Sequence, residues 1–199
     1  MSNLYRTIVS SPMWTTYGNC EITAFERSSV DADVAIIFGQ PKQGGPCLLR
    51  VQSHCLPSIA FGTTMCDCAL QLEKALRMIS QAESGILIYL NQEGRGYGLA
   101  SKVEIMGQVA SGKNIVAAQT AVGRTADRRD YNQLPIIIER LGVTGPLTLL
   151  SDNPKKIEHL KQLNLNIVNT VPLNAESGNS RIADYLFHKK QSYHDYVDE

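Results

Sequence analysis

Short apolar runs bounded by turn residues alternate with stretches of helical spacing along most of this chain. Five runs, VAIIFG (34–39), CLLRVQ (47–52), GILIYL (85–90), LTLLS (147–151) and NIVNTV (166–171), are mostly short and β-branched or Leu-rich, and they predict strands. Between them, Leu70, Leu72, Ala75, Leu76 and Ile79 recur mostly at three- and four-residue intervals while Lys74 and Arg77 fall off that face, which predicts a helix over 69–81. Residues 99–111, 132–141 and 154–163 also read as helices. Strands followed by helices make the fold α/β or α+β, and the short turns between the early strands make its core a mixed β-sheet with flanking helices. One domain over residues 1–199 is expected, with a polar tail that is mobile from about residue 174.

Charge and composition narrow the function classes. Nineteen Lys plus Arg balance nineteen Asp plus Glu, so no global field favours nucleic acid, a membrane surface or an acidic partner, and any attraction for anions must be local. No window approaches the roughly 18 consecutive apolar residues of a membrane span, and the first residues lack an apolar h-region. The expected location is the cytosol.

Five cysteines, at 20, 47, 55, 66 and 68, are an odd number for a disulfide framework. Cys55, Cys66 and Cys68 form a C-x10-C-x-C constellation. Three thiolates converging on one point suit zinc, and three protein ligands leave a fourth position for an activated water, the pattern of a hydrolytic site. Cys55 is expected to end a strand, and Cys66 and Cys68 to lie in the turn before the 69–81 helix, whose N-terminal partial charge favours a Cys68 thiolate. His54, next to Cys55 on that strand, would face the other way and not join the same ion. Spacing alone leaves a catalytic zinc, a structural zinc and three plain buried cysteines open. Cys20 and Cys47 are expected to be buried apolar thiols.

Three further segments carry candidate chemistry. QEGRGYGL (92–99) follows a predicted strand, and its glycines at 94, 96 and 98 allow close backbone approach while Glu93 and Arg95 supply a carboxylate and a guanidinium. SDNPKK (151–156) joins a strand end to a helix start with Pro154 in the first turn, so free N–H groups and Lys155 or Lys156 could hold a phosphate, a plain helix start being the equal alternative. GRTADRRDY (123–131) has four successive charges at 127–130, which is by default a self-paired solvated loop, although its arginines suit phosphate oxygens.

Taken together, RVxSxC (50–55), CDCxxQLE (66–73), QEGRxxGL (92–99), DxRxY (127–131) and NPKK (153–156) resemble GTP cyclohydrolase II over about residues 10–173. That family comprises zinc enzymes that open the guanine imidazole ring at the head of riboflavin synthesis. The resemblance implies zinc on Cys55, Cys66 and Cys68, activating a water for attack at C8 of the purine. It implies nucleotide contacts at Arg50, Gln52, Ser53, His54, Gln71, Glu93, Gly94, Arg95, Ile115, Ser151 and Lys156. Asp127 matches a proton acceptor, and Arg129 a nucleophile toward the α-phosphate that releases pyrophosphate. With a pKa above 12, an arginine could equally serve by stabilising transition-state charge. Mg²⁺ on the triphosphate and a homodimer are also implied.

The departures from the family pattern matter as much. Gln52 stands for the usual His and His54 for the usual Glu, Pro57 to Ile59 replace Thr-Gly-Asp, and Met65 replaces Arg. Ile115 stands where relatives carry a nucleotide-contacting Thr, and Ala117 stands for a Glu. Met106 aligns with a tyrosine implicated in ring opening and deformylation; its thioether accepts weakly and donates nothing. The first hydrolysis is therefore expected to survive and formate release to be impaired, giving a formamidopyrimidine nucleotide. Three alternatives stay open: a conventional formate-releasing enzyme, a related zinc hydrolase opening another base such as uracil, and a non-catalytic nucleotide-binding zinc protein.

Overall fold

The computed structural model describes residues 4–41, 44–125 and 127–194, which form two compact units. Of the described residues, those within Met1–Gln52, Glu73–Asn91 and Asp130–Leu173 make the first unit, and those within Ser53–Leu72, Gln92–Arg129 and Asn174–Glu199 the second.

A seven-stranded mixed sheet dominates the first unit, as the alternating pattern requires. Its strands are β1 (Thr7–Thr15), β2 (Gly18–Ser28), β3 (Asp31–Gly39), β4 (Cys47–Ser53), β5 (Ser84–Leu90), β6 (Leu147–Leu150) and β7 (Ile167–Val171). The spatial order is β1-β2-β3-β5-β4-β6-β7. β1, β2, β3 and β5 pair antiparallel in succession, while β4, β6 and β7 run parallel. All five expected strands are present. β1 and β2 were not foreseen, because Pro12 and a run of exposed residues leave β1 with little apolar alternation, and charged residues interrupt the pattern in β2.

Leu49, Val51, Ile86, Ile88, Leu90, Leu147 and Leu149 fill one core with Phe25, Leu134 and Ile137. Removing such side chains from water is the main force holding the sheet and helices together. Asp33, fully buried, accepts from Tyr5 Oη at 2.8 Å and Asn91 N at 2.9 Å and is ion-paired to Arg27, so the buried charge is matched.

The helices are α1 (Leu56–Ile59), α2 (Cys68–Gln81), α3 (Gly98–Ala110), α4 (Ile115–Ala121), α5 (Leu134–Arg140), α6 (Pro154–Gln162) and α7 (Ser180–His194). The four expected helices appear as α2, α3, α5 and α6, within two residues at each end. In the second unit, Ile105, Ile115 and Ala118 make a small core of their own, against which Val109, Val116, Val122 and Tyr185 pack. α7 falls in the polar tail, where no helix was foreseen, and contacts α4. No helix among the described residues is long and apolar enough to cross a membrane.

Candidate metal centre and active site

The three cysteines of the C-x10-C-x-C motif converge in the second unit. Their Sγ atoms all lie within 4.8 Å of one another, and those of Cys55 and Cys66 are 3.7 Å apart. A tetrahedral ion with metal–sulfur distances of about 2.3 Å separates its sulfurs by about 3.8 Å, so the donor set fits zinc in spacing as well as softness. Among the described residues, no His, Asp or Glu completes a tetrad with them. That composition matches the three-ligand type of site.

The local reason for the convergence differs from the expected one. β4 ends at Ser53, not at Cys55, because Pro57 in the first turn starts α1 and makes Cys55 its N-cap residue. Strand alternation therefore stops short of His54 and does not decide its direction, but His54 still lies outside the cluster. Cys68 is the first residue of α2 rather than part of the preceding turn.

Hydrogen bonds to two side chains, Ser58 and Glu93, hold the donor segments. Ser58 Oγ, buried in α1, accepts from Ala69 N at 3.0 Å, tying the Cys55 segment to the start of α2. Glu93 Oε2 accepts from Leu56 N at 2.7 Å and its Oε1 from Gly94 N at 2.8 Å. Three neighbouring thiols cannot all ionise unaided. Hydrogen bonds from Cys55 and Cys68 hold the Cys66 thiol far below its usual value, while the same bond to Cys66 pushes Cys55 up to about 11. Burial acts to lower Lys102 on α3, but the negative charge at Cys66, Cys55, Cys68 and Glu93 outweighs it and raises its pKa. Lys102 thus brings a cation to the centre, a contribution the sequence reading missed.

The glycine-rich turn uses its residues for geometry. Gly94, Gly96 and Gly98 all have positive φ, at 61°, 85° and 87°, and Arg95 shares that left-handed region at φ 57°, unusual for a side chain of its size. Arg95 Nη1 donates to Gln119 Oε1 at 2.9 Å, and Arg95 O accepts from Arg128 N at 3.0 Å. The turn is thereby stitched to 127–129, and Tyr97 is contacted by the guanidiniums of Arg128 and Arg124, 4.4 and 5.1 Å from its ring centre.

In the charged run, Asp127 and Arg129 pair with each other, with Arg129 Nε donating to Asp127 Oδ1 at 2.9 Å and Arg129 N to the same oxygen at 3.1 Å. Burial pushes the Asp127 carboxyl up, but the Arg129 bonds and charge outweigh it and hold it below the usual value, so it is ionised at neutral pH. A Cβ at position 96 would sit 2.6 Å from Arg128 O. Gly96→Ala must therefore displace the Asp127–Arg129 segment. It is expected to lower kcat on the order of 10²-fold with the fold retained, since shifts of about 1 Å in positioned groups cost that much. Steady-state kinetics with circular dichroism check this, and an unchanged kcat would count against a role for the segment.

Four of the other expected contacts belong to the first unit. Arg50 donates through Nε and Nη2 to Gln52 Oε1 at 3.1 and 2.7 Å, and through Nη1 to Leu150 O at 2.9 Å. Residues two apart on a strand share a face, which is how Gln52 comes to steady the Arg50 fork. Lys156 Nζ donates to Val51 O at 2.6 Å and lies over the Tyr131 ring, while its backbone N is capped by Asn153. Ser151 N donates to Val171 O at 3.1 Å, and Ser151 Oγ accepts from Asn153 N at 3.3 Å. Arg50, Gln52, Ser151 and Lys156 thus gather where the parallel strands β4 and β6 end, as sites in parallel sheets do.

Of the rest, Ser53 Oγ accepts from Gln92 Nε2 at 3.2 Å, and Gln71 bonds to Asp67. Met106 is half-buried on α3. Ile115 opens α4 within the small apolar core, a packing role in place of a polar contact.

A family model described as GTP cyclohydrolase II matches residues 6–172. The chain belongs to the GTP cyclohydrolase II family. GTP cyclohydrolase-2 of Actinobacillus succinogenes is 35% identical over 191 residues, which is 96% of this chain and 87% of that protein. The riboflavin biosynthesis protein RibBA of Phocaeicola vulgatus is 40% identical over 166 residues, 83% of this chain and 41% of that one. A solved two-domain 3,4-dihydroxy-2-butanone 4-phosphate synthase from A. baumannii is 18% identical, with a TM-score of 0.46 over 83% of this chain and 40% of that chain. As a GTP cyclohydrolase II-like hydrolase, the chain is an enzyme of the class acting on cyclic amidine C–N bonds.

Proposed function

We propose that this member of the GTP cyclohydrolase II family hydrolyses the imidazole ring of GTP at C8, releases pyrophosphate and retains the formyl group, yielding a formamidopyrimidine nucleotide. The observation that carries the product assignment is Met106, half-buried on α3 with a side chain that has no donor. Cys55, Cys66 and Cys68 are the residues that would hold zinc, which supplies electrophilic activation of water. Adding one water at C8 and opening one ring C–N bond leaves a formamide. Removing formate takes a second hydrolysis, for which the family resemblance implies a phenol at the position of Met106.

Glu93 is not the proton acceptor in this reading, because both its oxygens already accept backbone N–H groups. Arg129 acts by charge. Moving a proton from a guanidinium of pKa above 12 to a carboxylate of ordinary pKa about 4 is uphill by about 8 pKa units, or about 11 kcal/mol. Asp127 sits below even that ordinary value, so it orients Arg129 rather than deprotonating it. Arg50, Gln52, Ser151 and Lys156, with Ser53 and Gln71, are assigned to nucleotide contacts by family resemblance, with Mg²⁺ on the phosphates and a homodimer as the assembly.

The test is mass spectrometry of the products after zinc-loaded protein meets GTP and Mg²⁺, with formate and pyrophosphate assayed in parallel. A ring-opened nucleotide retaining the formyl group, with pyrophosphate but little formate, is expected. Met106→Tyr is expected to increase formate release severalfold. Stoichiometric formate from the wild-type protein would make it a conventional family member and refute the truncated reaction.

A further inference from the structure

We infer that Lys189, on the C-terminal helix α7, is a positioning residue for the metal ligands, acting through Asp67, the residue between Cys66 and Cys68. The inference rests on the zinc reading of the cysteine triad. The Lys189 ammonium donates to both Asp67 carboxylate oxygens, at 3.0 and 2.9 Å. The Asp67 side chain is 1% exposed and that of Lys189 16%, so this is a nearly buried ion pair rather than a surface one.

Burial makes the pair matter. A carboxylate taken out of water needs a counter-charge, and removing one member of a buried pair strands the other at high cost. Asp67 is joined by single backbone links to two zinc ligands, so any shift that relieves a stranded charge moves Cys66, Cys68 or both. Asp67 also accepts from Gln71 Nε2, and its carbonyl accepts from Gln71 N at 3.0 Å, so the same carboxylate steadies the opening turn of α2.

The placement of α7 is built into its sequence. Ile182, Tyr185 and Lys189 are spaced by three and four residues and therefore share one helix face. Ile182 is buried, Tyr185 packs against the core of Ile105, Ile115 and Ala118, and the Lys189 ammonium lies 5.7 Å from the Tyr185 ring centre. The apolar part of the face anchors the helix, and the next turn delivers a cation to Asp67, the buried residue between Cys66 and Cys68.

Groups that support metal ligands from outside the coordination sphere typically contribute about 10- to 100-fold in affinity. In the full chain, Lys189→Met is therefore expected to weaken zinc binding at least about 10-fold, read by competition with a chromophoric chelator. Lys189→Arg keeps the charge and is expected to stay within about 3-fold of the wild type. The double variant Asp67→Asn with Lys189→Met removes the stranded charge and is expected to recover most of the affinity.

Wild-type affinity in Lys189→Met would overturn the inference. If Lys189→Met does not fold, the other two variants still decide: failure of the arginine variant to hold zinc, or of the double variant to recover it, also overturns it. A wild-type protein that binds no zinc in the same assay removes the zinc reading itself, which separates that failure from this one.

Discussion

Stripping zinc with a chelator, or replacing Cys66 with serine, is expected to lower GTP turnover at least about 10³-fold while leaving the secondary structure in place. Metal catalysis of hydrolysis supplies several kcal/mol of transition-state stabilisation, and about 4 kcal/mol corresponds to that factor. Cys66 is the most telling position of the three. Its sulfur lies 3.7 Å from that of Cys55, and hydrogen bonds from Cys55 and Cys68 hold its thiol below the usual value. A serine hydroxyl neither ionises near neutrality nor offers a soft donor. The core of the sheet lies in the first unit and includes neither Cys66 nor Cys68. Turnover, metal content and circular dichroism measured together check the prediction. A Cys66→Ser enzyme opening GTP at the wild-type rate would show that the triad is not the catalytic centre.

Glu93→Ala is expected to lower the melting temperature by roughly 10 °C and to weaken metal retention with it. The carboxylate accepts from Leu56 N and Gly94 N, and hydrogen bonds to charged groups contribute about 1.5–3 kcal/mol each. Losing both therefore costs about 3–6 kcal/mol, a large part of the 5–15 kcal/mol that holds a typical domain. At about 2–4 °C per kcal/mol for a chain of this length, the shift is easily read by thermal denaturation. Leu56 follows Cys55 directly, so the loosened N–H is next to one of the three clustered cysteines. Glu93→Gln keeps one acceptor oxygen but turns an amide donor toward the other N–H, and an intermediate shift is expected. An unchanged melting temperature in the alanine variant would show that these two bonds are dispensable.

Much of the fold was legible because its core elements bury apolar side chains at regular intervals. GILIYL and LTLLS predict β5 and β6 for the reason that puts Ile86, Ile88, Leu147 and Leu149 in the core. β1 is held by pairing with β2 more than by burial, so its sequence carries little of that signal. The convergence of three cysteines was readable from spacing, since the thiols are close in sequence and chemically distinctive. The supports were not. Ser58 and Ala69 are unremarkable residues that meet only once α1 and α2 form, and Lys189 meets Asp67 across 122 positions of chain. Glu93 was read as a ligand-facing carboxylate, but its identity is equally explained by two backbone N–H groups that need an acceptor. Gln52 looked like a lost imidazole, yet its carbonyl oxygen holds two arms of Arg50.

The bond from Ala69 N to Ser58 Oγ bears on when the donor loop becomes ordered. Closing the stretch between Cys55 and Cys66 restricts many backbone torsions, and in small metal-dependent modules that ordering happens only on ion capture. Here the Ser58–Ala69 bond closes the stretch with protein atoms alone. An ion held by these cysteines would then be exchanged in the native state, without passing through an unfolded chain.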